Sequence, residues 1–266
     1  MAKRYGGELI YCGQDRYGVL EVVDNGIERS LHFGSPPVQS SMLLHDPDYP
    51  YLSYIRAMLT ALLFCPEPKR VLVIGLGGGT LVRYLVNYCR AKEIDIVELR
   101  PAVVRLAQSY FMLPDEPQLT LYQEDIRRYQ RRHRPKAHYD LILVDAFSEQ
   151  GLASAVAESD FFAYLHQVAR PEAVVAMNVW IEQRSALMWL KEQLNAFFGH
   201  NALALSVPGK ANQILFAAGE GNQLEAQLTE LKPLALTLQL QSRVEFSQLL
   251  RRLQQENRKR WLGLFG

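Results

Sequence analysis

Glu98, Asp125 and Asp145 each stand at or just after the end of a short β-prone run, and a glycine-rich turn, Gly75-Leu-Gly-Gly-Gly79, follows another. A glycine turn that opens a helix lets the backbone approach a ligand closely and offers it the helix's unpaired N–H groups. Gly75, Gly77, Gly78 and Gly79 are therefore candidate ligand-shaping residues. By itself this signal is weak, because such turns also join strands to helices where nothing binds. The carboxylates strengthen it. Glu98 ends the next strand, 23 residues after Gly75, where an acid can accept hydrogen bonds from both hydroxyls of a ribose. Asp125, in Gln123-Glu124-Asp125, is placed to accept a hydrogen bond from an adenine amine. It also precedes Ile126-Arg127-Arg128 in the manner of a helix N-cap, a role compatible with binding. Asp145 ends the fourth run, at the edge of the sheet where open α/β folds hold their ligands, and a turn residue is the alternative reading. Together these positions predict a nucleoside crevice. A nicotinamide cofactor would use much of the same geometry, but Thr80 occupies the sixth position of the loop and the acid after the third strand is foreign to the dinucleotide fingerprint.

The elements that must hold these residues alternate in period. VLVIG, IDIVE, LTLYQ, YDLILVD and AVVAMNV are strand-like, and helical stretches begin near Gly79, Pro101, Asp125 and Ser159. This alternation predicts a mostly parallel sheet covered on both faces. A helix over Arg184–Phe198 and the late runs ALALSV and QILFAA complete it. If the late pair is a hairpin, one strand runs antiparallel, as in methyltransferase-type sheets. The expected fold is α/β and Rossmann-like, of the class I methyltransferase type. Before it, short apolar segments flank Asp24-Asn25-Gly26, whose Asn-Gly pair suits a tight hairpin, so a small β-hairpin domain comes first. Leu52, Ile55, Leu59, Leu62 and Leu63 then mark a helix over Tyr51–Phe64. The expected division is a β appendage at 1–50, a nucleoside-binding catalytic domain at 51–220 and a Leu- and Gln-rich helical extension at 221–266.

Composition narrows the function classes. With 266 residues, 48% of them hydrophobic, the chain can bury one good core with smaller additions. Lys and Arg number 29 against 28 Asp and Glu, so the formal charge of +1 gives no bulk reason to expect nucleic acid or membrane as partner. The basic run Arg127–Arg134 has one interleaved aromatic, Tyr129, and reads as the solvated face of a short helix. Cys12, Cys65 and Cys89 are widely spaced, and the six histidines lack ligand spacing, so neither a disulfide framework nor a metal is expected. No signal peptide or run of roughly 20 apolar residues is apparent, which predicts a cytoplasmic location.

The stretches VLVIGLGGGT, IDIVELRPAVVRLAQSYF, the QED turn and YDLILVDAFS resemble those of the spermidine synthase family of polyamine aminopropyltransferases. The hairpin GVLEVVDNGIERS and the helix PYLSYIRAML also lie where that family has its N-terminal β-domain and first helix, so the resemblance spans roughly Gly18 to Ala218. It implies an enzyme using decarboxylated S-adenosylmethionine to alkylate an amine, with Glu98 on the ribose, Asp125 on the adenine and Asp145 as the catalytic carboxylate. It also places Tyr54, Arg56, Ser148 and Glu149 at the acceptor. Trp180, Glu182 and Gln183 follow the fifth strand, where they either cap the substrate pocket or, for the tryptophan, simply pack.

Three departures qualify the likeness. The acidic position of the family's glycine loop is Gly78 here, which would remove a partner for the donor's amine and admit ordinary S-adenosylmethionine. Ser148 stands where the family has a second acid, three positions after the catalytic one, and Glu149, which follows it, differs in register. Arg56 stands where the family's first-helix motif is acidic, and if it points inward it favours an acceptor bearing a carboxylate over a dication. An S-adenosylmethionine-dependent methyltransferase is the alternative, and a non-catalytic nucleoside-binding protein the third reading. The family's common assemblies leave a homodimer open.

Overall fold

Residues Val71–Ile74 are all buried, and their side chains alternate between two separate apolar clusters: Val71 and Val73 join one, Leu72 and Ile74 the other. Leu141 and Leu143 divide from Ile142 and Val144 in the same way. A strand with both faces covered has no polar side to show, and these runs are continuously apolar for that reason. The computed structural model describes residues 2–136, 138–148, 151–180, 184–199 and 202–257.

The strands are β1 (Lys3–Arg4), β2 (Gly7–Asp15), β3 (Gly18–Asp24), β4 (Glu28–His32), β5 (Val38–Leu43), β6 (Arg70–Ile74), β7 (Glu93–Val97), β8 (Leu119–Tyr122), β9 (Tyr139–Val144), β10 (Phe147–Ser148), β11 (Gly151–Leu152), β12 (Ala169–Trp180), β13 (Leu203–Ser206) and β14 (Asn212–Ala218). The helices are α1 (Ser53–Leu59), α2 (Thr80–Tyr84), α3 (Pro101–Tyr110), α4 (Ile126–Arg132), α5 (Ser159–Val168), α6 (Arg184–Phe198), α7 (Leu224–Gln227), α8 (Lys232–Ser242) and α9 (Phe246–Asn257). The central sheet runs β13-β14-β12-β9-β6-β7-β8, parallel from β12 to β8, with β14 antiparallel to both of its neighbours. This is the Rossmann-like, methyltransferase-type sheet that the alternating periods predict. Its strand order reverses beside β6 and β9, so a crevice opens outside their C-terminal ends.

The N-terminal appendage is larger than a hairpin. Five antiparallel strands, β1 to β5, form their own sheet, and Leu20, Val22, Leu31, Phe33 and Met42 pack against Ala102, Val103, Leu106 and Phe111 at α3. Strand β5 escapes the hydrophobic pattern because it carries Ser40 and Ser41, adjacent, on opposite faces and both buried, and the Ser41 hydroxyl is satisfied by donating to Glu28 at 2.6 Å. The expected turn is present: Asn25 Oδ1 accepts from the Ile27 and Glu28 amides, and Gly26 takes φ 88°.

After β14, Val244, Phe246, Leu249, Leu250 and Leu253 join the same cluster as Ile55, Met58 and Leu62, so the C-terminal helices cover the face that α1 covers. Three arginines of the basic run pair with nearby acids: Arg127 with Glu158 at 2.6 Å, and Arg128 and Arg132 with Glu124, at 3.1 and 3.4 Å. Among the described residues no helix is long and apolar enough to cross a membrane.

Candidate active site

The chain passes from β6 into the glycine loop under tight constraint. Gly75 has φ 94°, and a Cβ there would lie 2.1 Å from the backbone oxygen of Asp145. The Asp145 amide donates to Ile74 O at 2.8 Å, so the loop after β6 and the end of β9 are held against each other. Only glycine meets both the backbone angle and the close approach. The Gly75 amide in turn donates to Val97 O, which brings the end of β7 and Glu98 alongside.

Glu98 is buried, and both of its oxygens are engaged by backbone: Oε2 accepts from the Leu76 amide at 2.9 Å and Oε1 from the Arg100 amide at 2.8 Å. Burial raises its pKa, against the lowering effect of these two amides. Each carboxylate oxygen keeps a second lone pair, so the fixed group can still accept from a diol. Asp125 is the N-cap of α4: its Oδ1 accepts from the Arg127 amide at 2.7 Å, and the side chain remains partly exposed to the crevice. Capping uses one oxygen, and the other, Oδ2, has among the described residues only the Arg127 guanidinium at 3.9 Å beside it.

These groups line a crevice of about 490 Å³, a size suited to a small molecule. Gly75, Leu76, Gly77, Glu98, Asp125 and Ile126 make up one group of its lining residues, the one assigned above to a nucleoside. A second group, joined by hydrogen bonds and strand register, lies around Asp145: Tyr54, Asn178, Asn212 and Trp180, with Lys210 and Ala211 next to Asn212 in the chain. The N-terminal sheet contributes a wall through Phe33, Val38 and Gln39.

Asp145 sits in a polar chain that local sequence patterns do not reveal. Asn178, buried in β12, donates to Asp145 Oδ1 at 2.8 Å, and Asn212, at the start of β14, donates to Asn178 Oδ1 at 3.0 Å. The Tyr54 hydroxyl donates to Gln39 O at 3.3 Å and lies close enough to Asp145 for each to shift the other. Burial raises the Asp145 carboxyl to about 6, with Asn178 and Tyr54 holding it lower than burial alone would. A carboxylate tuned toward neutrality is a competent proton acceptor near physiological pH. The one local signal for this relay is that Asn178 is a lone amide in the otherwise apolar run 173–180 of its strand.

Two expectations are corrected. Arg56 does not point into the crevice: its Nε pairs with Glu245 Oε1 at 2.8 Å, and its guanidinium also donates to Pro50 O and Tyr51 O. It ties α1 to the turn before α9, which removes the basis for an acceptor carboxylate beside it. Gly78, too, faces away from the crevice. A Cβ there would meet Ser40 Oγ at 2.7 Å and the Phe111 ring at 3.0 Å, so this position packs under β5 and cannot present a side chain to a donor. Gly79 lies beyond it as the N-cap of α2, φ 73°. The loop is instead secured from beneath by Arg83, which is buried and donates to Gly78 O at 2.9 Å, to Pro47 O at 3.2 Å and to Phe111 O. Burial lowers its pKa to about 10, still far above neutrality. Of Ser148 only the backbone, in β10, is described, while Glu149, Glu182 and Gln183 lie outside the described residues.

Arg100 also borders the crevice but is committed elsewhere, pairing with Asp15 at 2.8 Å and so fastening the N-terminal sheet to the turn after β7. Its position 85 residues from Asp15 hides this clasp from a sequence pattern.

Comparison with known proteins gives the same outline. Residues 52–229 match the Spermine/spermidine synthase domain. The chain is 32% identical over 241 residues to a polyamine aminopropyltransferase of Chromobacterium violaceum, spanning 90% of this chain and 91% of that one. In fold it is similar to a spermidine synthase solved in complex with the transition-state analogue AdoDATO, with a TM-score of 0.68 at 14% identity, covering 84% and 79% of the two chains. It is also similar to human methyltransferase-like protein 13 in complex with SAH, with a TM-score of 0.61 at 22% identity, covering 77% and 93%.

Proposed function

Because the chain belongs to the spermine/spermidine synthase family, we propose that its crevice transfers the aminopropyl group of decarboxylated S-adenosylmethionine to an amine, as an enzyme of polyamine biosynthesis. The observation that carries this reading is the Asp145 carboxylate, lining the same crevice as the glycine loop and Glu98 and held there by Asn178. Glu98 takes the ribose hydroxyls, Asp125 the adenine amine, and Gly75 and Gly77 let the backbone close on the donor. Tyr54 and Trp180 border the acceptor.

In the reaction the acceptor nitrogen forms a bond to the aminopropyl carbon attached to the sulfonium. The carbon–sulfur bond breaks with its electron pair going to sulfur, which departs as the neutral thioether of methylthioadenosine. One proton leaves the alkylated nitrogen and passes to Asp145. The enzyme's share is to hold the two reactants in line and to accept that proton. Asp145 lines the crevice together with the glycine loop and Glu98, which favours turnover over nucleoside binding alone. A cytoplasmic location, a small amine as acceptor and a homodimeric assembly accompany the reading on family grounds.

The test is to supply decarboxylated S-adenosylmethionine with 1,4-diaminobutane and with simple monoamines and to follow methylthioadenosine. Its release supports aminopropyl transfer. Formation of S-adenosylhomocysteine from ordinary S-adenosylmethionine would reassign the chain to methyl transfer, and binding of neither donor would defeat the nucleoside reading altogether.

A further inference from the structure

The charged side chains lining the crevice differ in how far their neighbours already satisfy them. Arg100 is paired with Asp15, Glu124 is surrounded by Arg128 and Arg132, Glu98 is held by two backbone amides and Asp125 caps a helix. Two charges remain at the acceptor end: Asp145 and Lys210. Lys210 is exposed in the turn between β13 and β14, where Gly209 takes φ 67°, and no carboxylate among the described residues pairs with its ammonium. It is tied to Asp145 by a short structural path. Asp145 is bonded to Asn178, Asn178 to Asn212, and Asn212 is only two residues from Lys210; Asn212 is also the register partner of Trp180 at the crevice mouth.

We infer that Lys210 is a specificity-determining residue of the acceptor end, disfavouring amines that bring a second ammonium within its reach relative to amines of the same length carrying a single charge. This inference rests on the amine-alkylating function proposed above. Its physical basis is a like-charge contact built against one class of ligand, a common source of discrimination. A primary amine placed for attack lies beside Asp145, and a second cation on it shares the crevice with Lys210, the lining cation with no carboxylate partner among the described residues. Lys210 is not among the groups assigned above to the donor, so its effect falls on the choice of acceptor.

The test compares 1,4-diaminobutane with 4-amino-1-butanol, which matches its length and lacks the second charge, in the wild-type protein and in Lys210→Glu and Lys210→Met. The ratio of kcat/KM for the diamine over the amino alcohol is expected to rise about tenfold or more in Lys210→Glu, the size of effect that a like charge several Å away produces in a partly solvated cleft, with Lys210→Met in between. A ratio that stays within about threefold across all three proteins would overturn the inference. Binding of both amines to the methylthioadenosine-saturated protein, followed by calorimetry, separates this failure from that of the proposed function. If no methylthioadenosine is ever released but the diamine still gains affinity selectively in Lys210→Glu, the transferase reading fails and the charge rule stands. If affinity shows no selective gain, the rule fails whatever the reaction proves to be.

Discussion

The two ends of the crevice are built by different means. At the donor end the polar contacts are made by backbone: the Leu76 and Arg100 amides fix Glu98, the Arg127 amide fixes Asp125, and the glycine loop approaches without side chains. At the acceptor end they are made by side chains from distant segments: Asn178 reaches Asp145 from another strand, Asn212 holds Asn178 from a third, and Tyr54 approaches from the first helix. A backbone-built site is set by chain path and tolerates few changes in the loop. A side-chain-built site can change its selectivity by single substitutions while the fold stands. Donor recognition should therefore be the rigid property of this protein and acceptor choice the adjustable one.

Removing the proton acceptor should separate the two ends most sharply. Asp145→Asn is expected to cut transfer by about 10² to 10⁴ while leaving methylthioadenosine affinity within about threefold; methylthioadenosine release and calorimetric titration read the two effects. A large loss of nucleoside affinity would show that the ends are not independent. Gly75→Ala attacks the place where they touch. With φ 94° and the Asp145 carbonyl in the way, it should destabilise the fold by about 2 to 4 kcal/mol, visible in thermal unfolding, and weaken both donor binding and transfer.

The pH dependence tests the acceptor end alone. Asp145 must be ionised to take a proton, so kcat/KM should rise with pH through about 6, the value to which burial lifts this carboxyl. Asn178 donates to the ionised form and lowers that pKa, so Asn178→Leu should move the midpoint upward; an unchanged midpoint would remove Asn178 from the relay. The linkage to stability has the opposite sign. A carboxyl whose folded pKa is raised from 3.8 to about 6 binds its proton more tightly in the folded state, so its stabilising contribution is full below the unfolded pKa and is lost as pH rises through about 6. The smallest effect is expected from Asp125→Asn. The amide oxygen still caps α4, and losing one charge-assisted bond to the nucleoside should weaken donor affinity by about threefold to tenfold, measurable by titration with methylthioadenosine.

What the sequence determined by itself follows from local rules. The period-two and continuous apolar runs locate the strands of the central sheet, and an acid or glycine at a strand's C-terminal end must emerge at the sheet's ligand-binding edge, so Gly75, Glu98, Asp125 and Asp145 could be assigned to one crevice without coordinates. Strand β5 was less legible because Ser40 and Ser41 are polar residues buried by pairing and packing, which no hydrophobic pattern registers. Tertiary structure alone decided where the long side chains go. Arg56 carries the charge an acceptor site might use, yet Glu245, 189 residues away, claims it. Asn178, Asn212 and Lys210 meet Asp145's end of the crevice only because β14 pairs antiparallel with β12 in one particular register. Strand ends are fixed by short-range periodicity, whereas a side chain's partner is fixed by which distant strand lies beside it and in what register, and that is settled only when the whole sheet assembles.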